Sequence, residues 1–204
     1  MNTIPNSGPT ADEALQRLKK GNARFVAGTA RFPTVQKEIL ADLAKGQRPY
    51  ATILSCSDSR VPPELIFDAG LGELFIIRVA GNILSPEIAG SLQYAGRHLH
   101  TLLFVVLGHT NCGAVAAAID TRLRGTQQLS RIQLLVERIL PGLEDLDPQL
   151  TPEAMLTQAV EANVRWTMRQ ILETPEGQER QAEGLVKLIG AVYEIETGLV
   201  RFLE

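Results

Sequence analysis

Two short stretches hold the residues able to do chemistry, Cys56-Ser57-Asp58-Ser59-Arg60 and His109-Thr110-Asn111-Cys112. Cys56 and Cys112 are the only cysteines in the 204-residue chain, and His109 is one of three histidines. Two thiolates and an imidazole form a favoured zinc set, and three protein ligands leave a fourth position open for a reaction. Taken singly, each cysteine reads as a small core residue, since free cysteine is among the most buried residue types. His109 alone reads as a helix-start residue. All three at the ends of apolar runs favour the metal. Asp58 lies two residues beyond a candidate ligand and can itself take the fourth position. Alternatively Arg60 holds it through a bidentate ion pair, which keeps it ionised and able to accept a hydrogen bond from a zinc-bound water.

The elements that must position these residues are legible from apolar runs. Residues 50–54, 74–79 and 102–107 are predominantly apolar and read as strands. Residues 185–196 read as a final long strand, and 199–203 as a short edge strand after a Thr197-Gly198 turn. Helices are expected from a Thr10 or Asp12 cap to about residue 28, then over 86–99, 113–120, 127–140 and 152–172. Residues 35–45 read as a short helix or loop, and Pro62-Pro63 opens a helical turn. Strand and helix alternate, and the strands do not alternate in polarity. That implies an α/β fold with a central, mainly parallel β-sheet flanked by helices. No repeat or linker interrupts it, so residues 1–204 read as a single domain. Ligands in open α/β sheets bind beyond the carboxyl ends of the strands, where both candidate stretches lie. His109 and Cys112, three apart at a helix entry, can point at one ion, and the helix start favours thiolate at Cys112.

Composition narrows the function. Net charge is −3 with the basic residues scattered, which argues against nucleic acid or an acidic membrane as partner. Residues 1–10 lack the basic start and apolar run of a signal peptide, and no apolar segment reaches membrane-spanning length. A cytoplasmic setting with reduced cysteines is the expectation.

The motifs closely resemble those of the β-class carbonic anhydrases. The resemblance rests on Cys56-Ser-Asp-Ser-Arg60-Val-Pro62 and Gly108-His109-Thr-Asn-Cys112-Gly113. Further support comes from Gly21-Asn22-Ala-Arg24-Phe25, Glu73-Leu-Phe75, Arg78-Val-Ala-Gly-Asn82, Gly190-Ala-Val-Tyr193 and Thr197-Gly198. It implies Zn2+ bound by Cys56, His109 and Cys112, with Asp58 and Arg60 as a catalytic dyad and Asp58 as a fourth ligand in a closed state. It also implies a homodimer or a higher assembly of dimers, with residues 1–28 as a helical arm on the partner subunit. Gln47 matches a substrate-binding glutamine. Phe75, Ala80, Tyr94 and Gly113 match pocket positions, the first three forming an apolar recess for a small nonpolar gas. The family's bicarbonate-regulated subtype has a tryptophan shortly before the first cysteine. Ile53 stands there and the single tryptophan is Trp166, so the open, non-allosteric subtype is expected. His98 matches a histidine of some plant relatives and is kept outside the catalytic set.

The implied reaction is reversible hydration of carbon dioxide to bicarbonate and a proton by zinc-bound hydroxide. Hydrolysis of carbonyl sulfide or carbon disulfide on the same scaffold is the nearest alternative. A non-catalytic or partner-activated assembly subunit is another, and residence in a microcompartment stays open. A zinc deaminase needs His-x-Glu followed by Pro-Cys-x-x-Cys, and neither occurs. Absence of Cys-x-x-Cys argues against a redox protein.

Overall fold

Thr10 caps helix α1 (Ala11–Val26) in a full capping box: its hydroxyl accepts from the Glu13 N–H, while Glu13 reaches back to the Thr10 backbone. The computed structural model describes residues 8–31 and 37–203. Residues 1–7, the start of the stretch without a signal-peptide pattern, and residues 35–36 of the short segment lie outside them. The chain continues through α2 (Lys37–Leu43), β1 (Ala51–Ser55), α3 (Pro63–Ile66), β2 (Leu74–Arg78) and α4 (Pro86–His98). Then come β3 (Leu103–His109), α5 (Gly113–Arg124), α6 (Ser130–Ile139), α7 (Pro152–Glu173), α8 (Pro175–Glu183), β4 (Lys187–Tyr193) and β5 (Val200–Leu203).

The strands form one sheet in the order β2-β1-β3-β4-β5, parallel except for β5, which runs antiparallel to β4. The expected α/β architecture is present. β1 and β3 are buried along their whole length, which explains their unbroken apolar runs. Alternate residues serve two cores. Ile53, Leu103, Val105 and Ala191 face α1 and α3, whereas Leu54, Phe104, Val106 and Val192 face the helices on the other side. Strand order reverses between β1 and β3, and that places a crevice at their carboxyl ends.

The arm helix α1 packs on its own chain. Ala14, Leu15 and Leu18 enter the first core, and buried Asn22 ties three segments together. Its Nδ2 donates to the Ile66 and Gly198 carbonyls at 3.2 and 2.8 Å, and its Oδ1 accepts from the Val200 N–H at 2.8 Å. β3 runs two residues further than its apolar run predicted, to His109. β4 is shorter than expected, ending at Tyr193.

Helix α8 has no counterpart in the sequence reading. It starts on a Thr174 cap with Pro175 at its first position, ends at left-handed Gly184, and buries no residue. Hydrophobic periodicity therefore carried no sign of it, although Thr-Pro and Gly were the start and stop signals. Trp166 lies on α7, where its Nε1–H donates to the Arg138 carbonyl at 2.9 Å. Among the described residues no helix is long and apolar enough to cross a membrane.

Candidate metal centre

Cys56 follows the last residue of β1 and His109 ends β3. The parallel register sets Ser55 beside Leu107, so Cys56 emerges opposite Gly108, one residue short of His109 on the neighbouring strand, about 4.8 Å away. Cys112 arrives by a different route from the expected helical spacing. His109 belongs to the strand, Asn111 takes a left-handed conformation (φ 58°), and the chain turns back so that Cys112 caps α5. Thr110 anchors this turn: its N–H donates to the Tyr193 carbonyl at 3.0 Å and its hydroxyl accepts from the Ile195 N–H at 3.1 Å.

The donor atoms of Cys56, His109 and Cys112 lie within 4.8 Å of one another, and all three residues are buried. His109 Nδ1 lies 2.8 Å from the Thr110 carbonyl and donates to it. That fixes the tautomer and leaves the Nε2 lone pair free. Nε2 is buried with no hydrogen-bond partner among the described residues, an arrangement that is costly unless it faces a ligand. Between the sulfurs, the Cys112 thiol hydrogen-bonded to Cys56 holds Cys56 well below the usual thiol range, to about 4, against the effect of burial. Cys112 rises through the same bond and through burial, although N–H groups of Val115 and Ala114 at the helix start pull it down. An ion would displace the shared proton and take both as thiolates. Two soft sulfurs and one imidazole with a free position fit zinc.

Asp58 stands at the mouth of this cluster. Its Oδ1 accepts from the Arg60 backbone N–H and Nε–H at 2.9 and 3.0 Å, and its Oδ2 accepts from an Arg60 Nη2–H at 2.8 Å. This fork holds its carboxyl well below the usual carboxylate range, despite partial burial. Oδ2 lies 3.9 Å from His109 Nε2. The same Arg60 group also donates to the Asn111 carbonyl at 3.4 Å, joining the two motif loops.

Sequence reasoning assigned no role to Arg78. Its Nε–H donates to the Cys56 carbonyl at 3.0 Å and its Nη2–H to the Asp58 carbonyl at 2.5 Å, so it braces the loop between ligand and dyad. Nor did it assign one to Gly81, whose backbone N–H donates to Cys56 Sγ at 3.4 Å.

Comparison with known proteins agrees with this centre. Residues 51–200 match the family model described as carbonic anhydrase. The chain is 37% identical to carbonic anhydrase 2 of Mycobacterium tuberculosis, over 96% of this chain and 93% of that protein. It is 35% identical to the carbonic anhydrase of Mycolicibacterium smegmatis, over 97% and 94%. The chain belongs to the carbonic anhydrase family. Its fold matches the β-carbonic anhydrase CafA of Aspergillus fumigatus with a TM-score of 0.75 at 26% identity, covering 95% of this chain and 90% of that one. A tetrameric β-carbonic anhydrase of Sordaria macrospora shares the fold at a TM-score of 0.75 and 23% identity, over 94% and 97%. The β-class resemblance and the zinc cofactor expected from the motifs therefore hold.

The remaining carbonic anhydrase positions divide between the two ends of the sheet. Ala80 and Gly113 stand by the ligands: Ala80 precedes Gly81, and Gly113 follows Cys112 with open space where a Cβ would be. Phe75 pairs with Thr52, four residues and about 13 Å of strand before Cys56. Tyr94 is half-exposed and its ring lies 6.1 Å from that of Phe75, with the His98 ring tilted against it at 5.0 Å. Gln47 is exposed, ahead of β1 at its amino end. Within one chain, these three are not beside the thiolates. A cavity of about 260 Å³ between α4, α8 and the sheet contains none of the candidate site residues; donor chemistry locates the centre, and cavity size does not.

Proposed function

We propose that this chain catalyses the reversible hydration of carbon dioxide to bicarbonate and a proton. The observation that carries this reading is the convergence of Cys56, His109 and Cys112 with an Arg60-held Asp58 at 3.9 Å from the free imidazole nitrogen. Zinc bound by these three residues would lower the pKa of a coordinated water toward neutrality and so supply a nucleophile.

Two thiolates donate more negative charge than imidazoles and oppose that acidification. Asp58 compensates by accepting a hydrogen bond from the nucleophile's remaining proton, which orients it toward the carbon. Because the Arg60 fork keeps Asp58 ionised, this carboxylate acts as an acceptor, and the released proton passes to solvent or buffer. The same fork occupies both Asp58 oxygens, which supports the open state over one with Asp58 as fourth ligand.

Gln47, Phe75 and Tyr94 complete the pocket from a second copy of the chain. Their position at the opposite end of the sheet supports this, as do the half-exposed Tyr94 ring and the free outer edge of β2. The working unit is then a homodimer or an assembly of dimers, with the outer face of α1 against the partner. The setting is the cytoplasm.

Stopped-flow carbon dioxide hydration at neutral and alkaline pH, on protein of measured zinc content, tests the reading. Fast turnover at both with one zinc per chain is expected. Zinc-replete protein that hydrolyses carbonyl sulfide and leaves carbon dioxide untouched would overturn it.

A further inference from the structure

Asn163 sits in the middle of α7, 1% exposed, far from both motif loops in sequence. Its Nδ2 donates to the Gly81 carbonyl at 2.8 Å. Its Oδ1 is buried with no partner among the described residues. Burying an amide costs free energy unless its groups are bonded, so an apolar residue of similar volume would serve plain packing better. Among the described residues, the side-chain hydrogen bond of Asn163 goes to Gly81.

Gly81 is the residue whose N–H reaches Cys56 Sγ at 3.4 Å. It lies in the Ala80–Asn82 turn with φ 72° and ψ 17°, a left-handed conformation that glycine adopts without strain. The turn is closed by the Asn82 N–H on the Val79 carbonyl at 3.0 Å. Asn163 holds the outer carbonyl of Gly81 while the sulfur receives its N–H. With one peptide held at each end, the direction of the N–H is set by the Gly81 dihedrals alone.

We propose that Asn163 is a positioning residue for the metal centre, holding the Gly81 N–H on the Cys56 thiolate. A backbone N–H on a metal-bound sulfur tunes its charge and orientation, and partners of this outer kind are worth about 10- to 100-fold in metal affinity. The inference rests on the zinc reading and extends it to a residue that touches no ligand.

Asn163→Leu keeps the branched four-atom side-chain skeleton and removes the donor. The test follows zinc release to a chelator from the holoenzyme, and the sulfur-to-cobalt charge-transfer band of the cobalt-substituted protein. Release about tenfold faster or more, with a displaced band, is expected. Thr167→Val, one turn along α7 where the buried hydroxyl also has no partner among the described residues, should leave both readouts at the parent value. If Asn163→Leu does not fold, Asn163→Ala and Asn163→Asp go through the same two measurements. A lower melting temperature with unchanged release rate and band in the folded variants would make Asn163 a packing residue only. Equal displacement in Thr167→Val would assign the effect to α7 packing and also overturn the proposal. A parent protein that takes up neither metal would instead defeat the zinc reading itself.

Discussion

Gly108→Ala would place a methyl carbon 2.6 Å from Cγ2 of Val164 and 3.3 Å from Cγ1 of Val160. Ordinary contact begins near 3.4 Å, so the nearer pair overlaps by roughly 0.8 Å. Neither valine can turn aside, because a β-branched side chain in a helix has one strongly preferred rotamer. Both are buried on α7. Nor can the strand retreat, since Gly108 and His109 are registered against Val192 and Tyr193. Helix α7 must therefore move, and overpacking of this kind costs about 1–3 kcal/mol. At about 2–4 °C per kcal/mol for a domain of this size, the melting temperature should fall by about 2–12 °C. The residue touched is the neighbour of His109, so zinc release to a chelator should quicken as well, by about tenfold if 1.4 kcal/mol reaches the ligand. A double-mutant cycle supplies the sharper test. Val164→Ala alone leaves a cavity, whereas combined with Gly108→Ala it gives the new methyl room. The double variant should be less destabilised than the sum of the singles by at least about 0.5 kcal/mol. Strict additivity in thermal or urea unfolding would refute the steric reasoning.

Asp58→Ala should keep one zinc per chain and lose most of the hydration activity in stopped flow; full activity in the metal-replete variant would remove Asp58 from the mechanism. Cys112→Ser should lower the zinc content measured on purified protein, and full occupancy would show that the ligand set is wrong. Asp68 has a side chain with no exposure, bonded to Arg24 Nε and Arg31 Nε at 2.5 and 3.2 Å. Burial alone would raise its carboxyl, but the hydrogen bonds from Arg24 and Arg31 outweigh it and hold it below its ordinary value. A depressed folded value means stability that is present above the unfolded pKa of about 3.9 and is lost as pH falls through the folded one. Asp68→Asn should therefore cost about 1–3 kcal/mol in urea unfolding at pH 7, and the gap from the parent should close below about pH 4. A gap that stays constant with pH would show that the pair contributes no charge-dependent stability.

The metal ligands were legible because they are rare residue types at the ends of apolar runs, and the parallel sheet brings such ends together. Cys56 and His109 needed nothing more than adjacent strands. Cys112 was found for partly the wrong geometric reason, since a left-handed Asn111 aims it and helical spacing does not. Residues that act through the backbone left no mark of their own. Arg78 and Gly81 stood inside a quoted motif with no stated role, because a carbonyl or an N–H contact carries no residue-type signature. Asn163 lay on a helix whose periodicity was read only for its apolar face. Gln47, Phe75 and Tyr94 expose a different limit. Motif matching placed them in one pocket with the thiolates, but register sets Phe75 the length of a strand from Cys56, and the Tyr94 ring lies beside Phe75. A motif match carries residue types and leaves open which copy of the chain supplies them. A five-residue strand with Phe75 near one end and Cys56 beyond the other end of its neighbour spans more than any side chain can reach. With the pocket proposed to be completed by a second copy, dissociation to monomers should abolish turnover while leaving Cys56, His109 and Cys112 able to hold zinc.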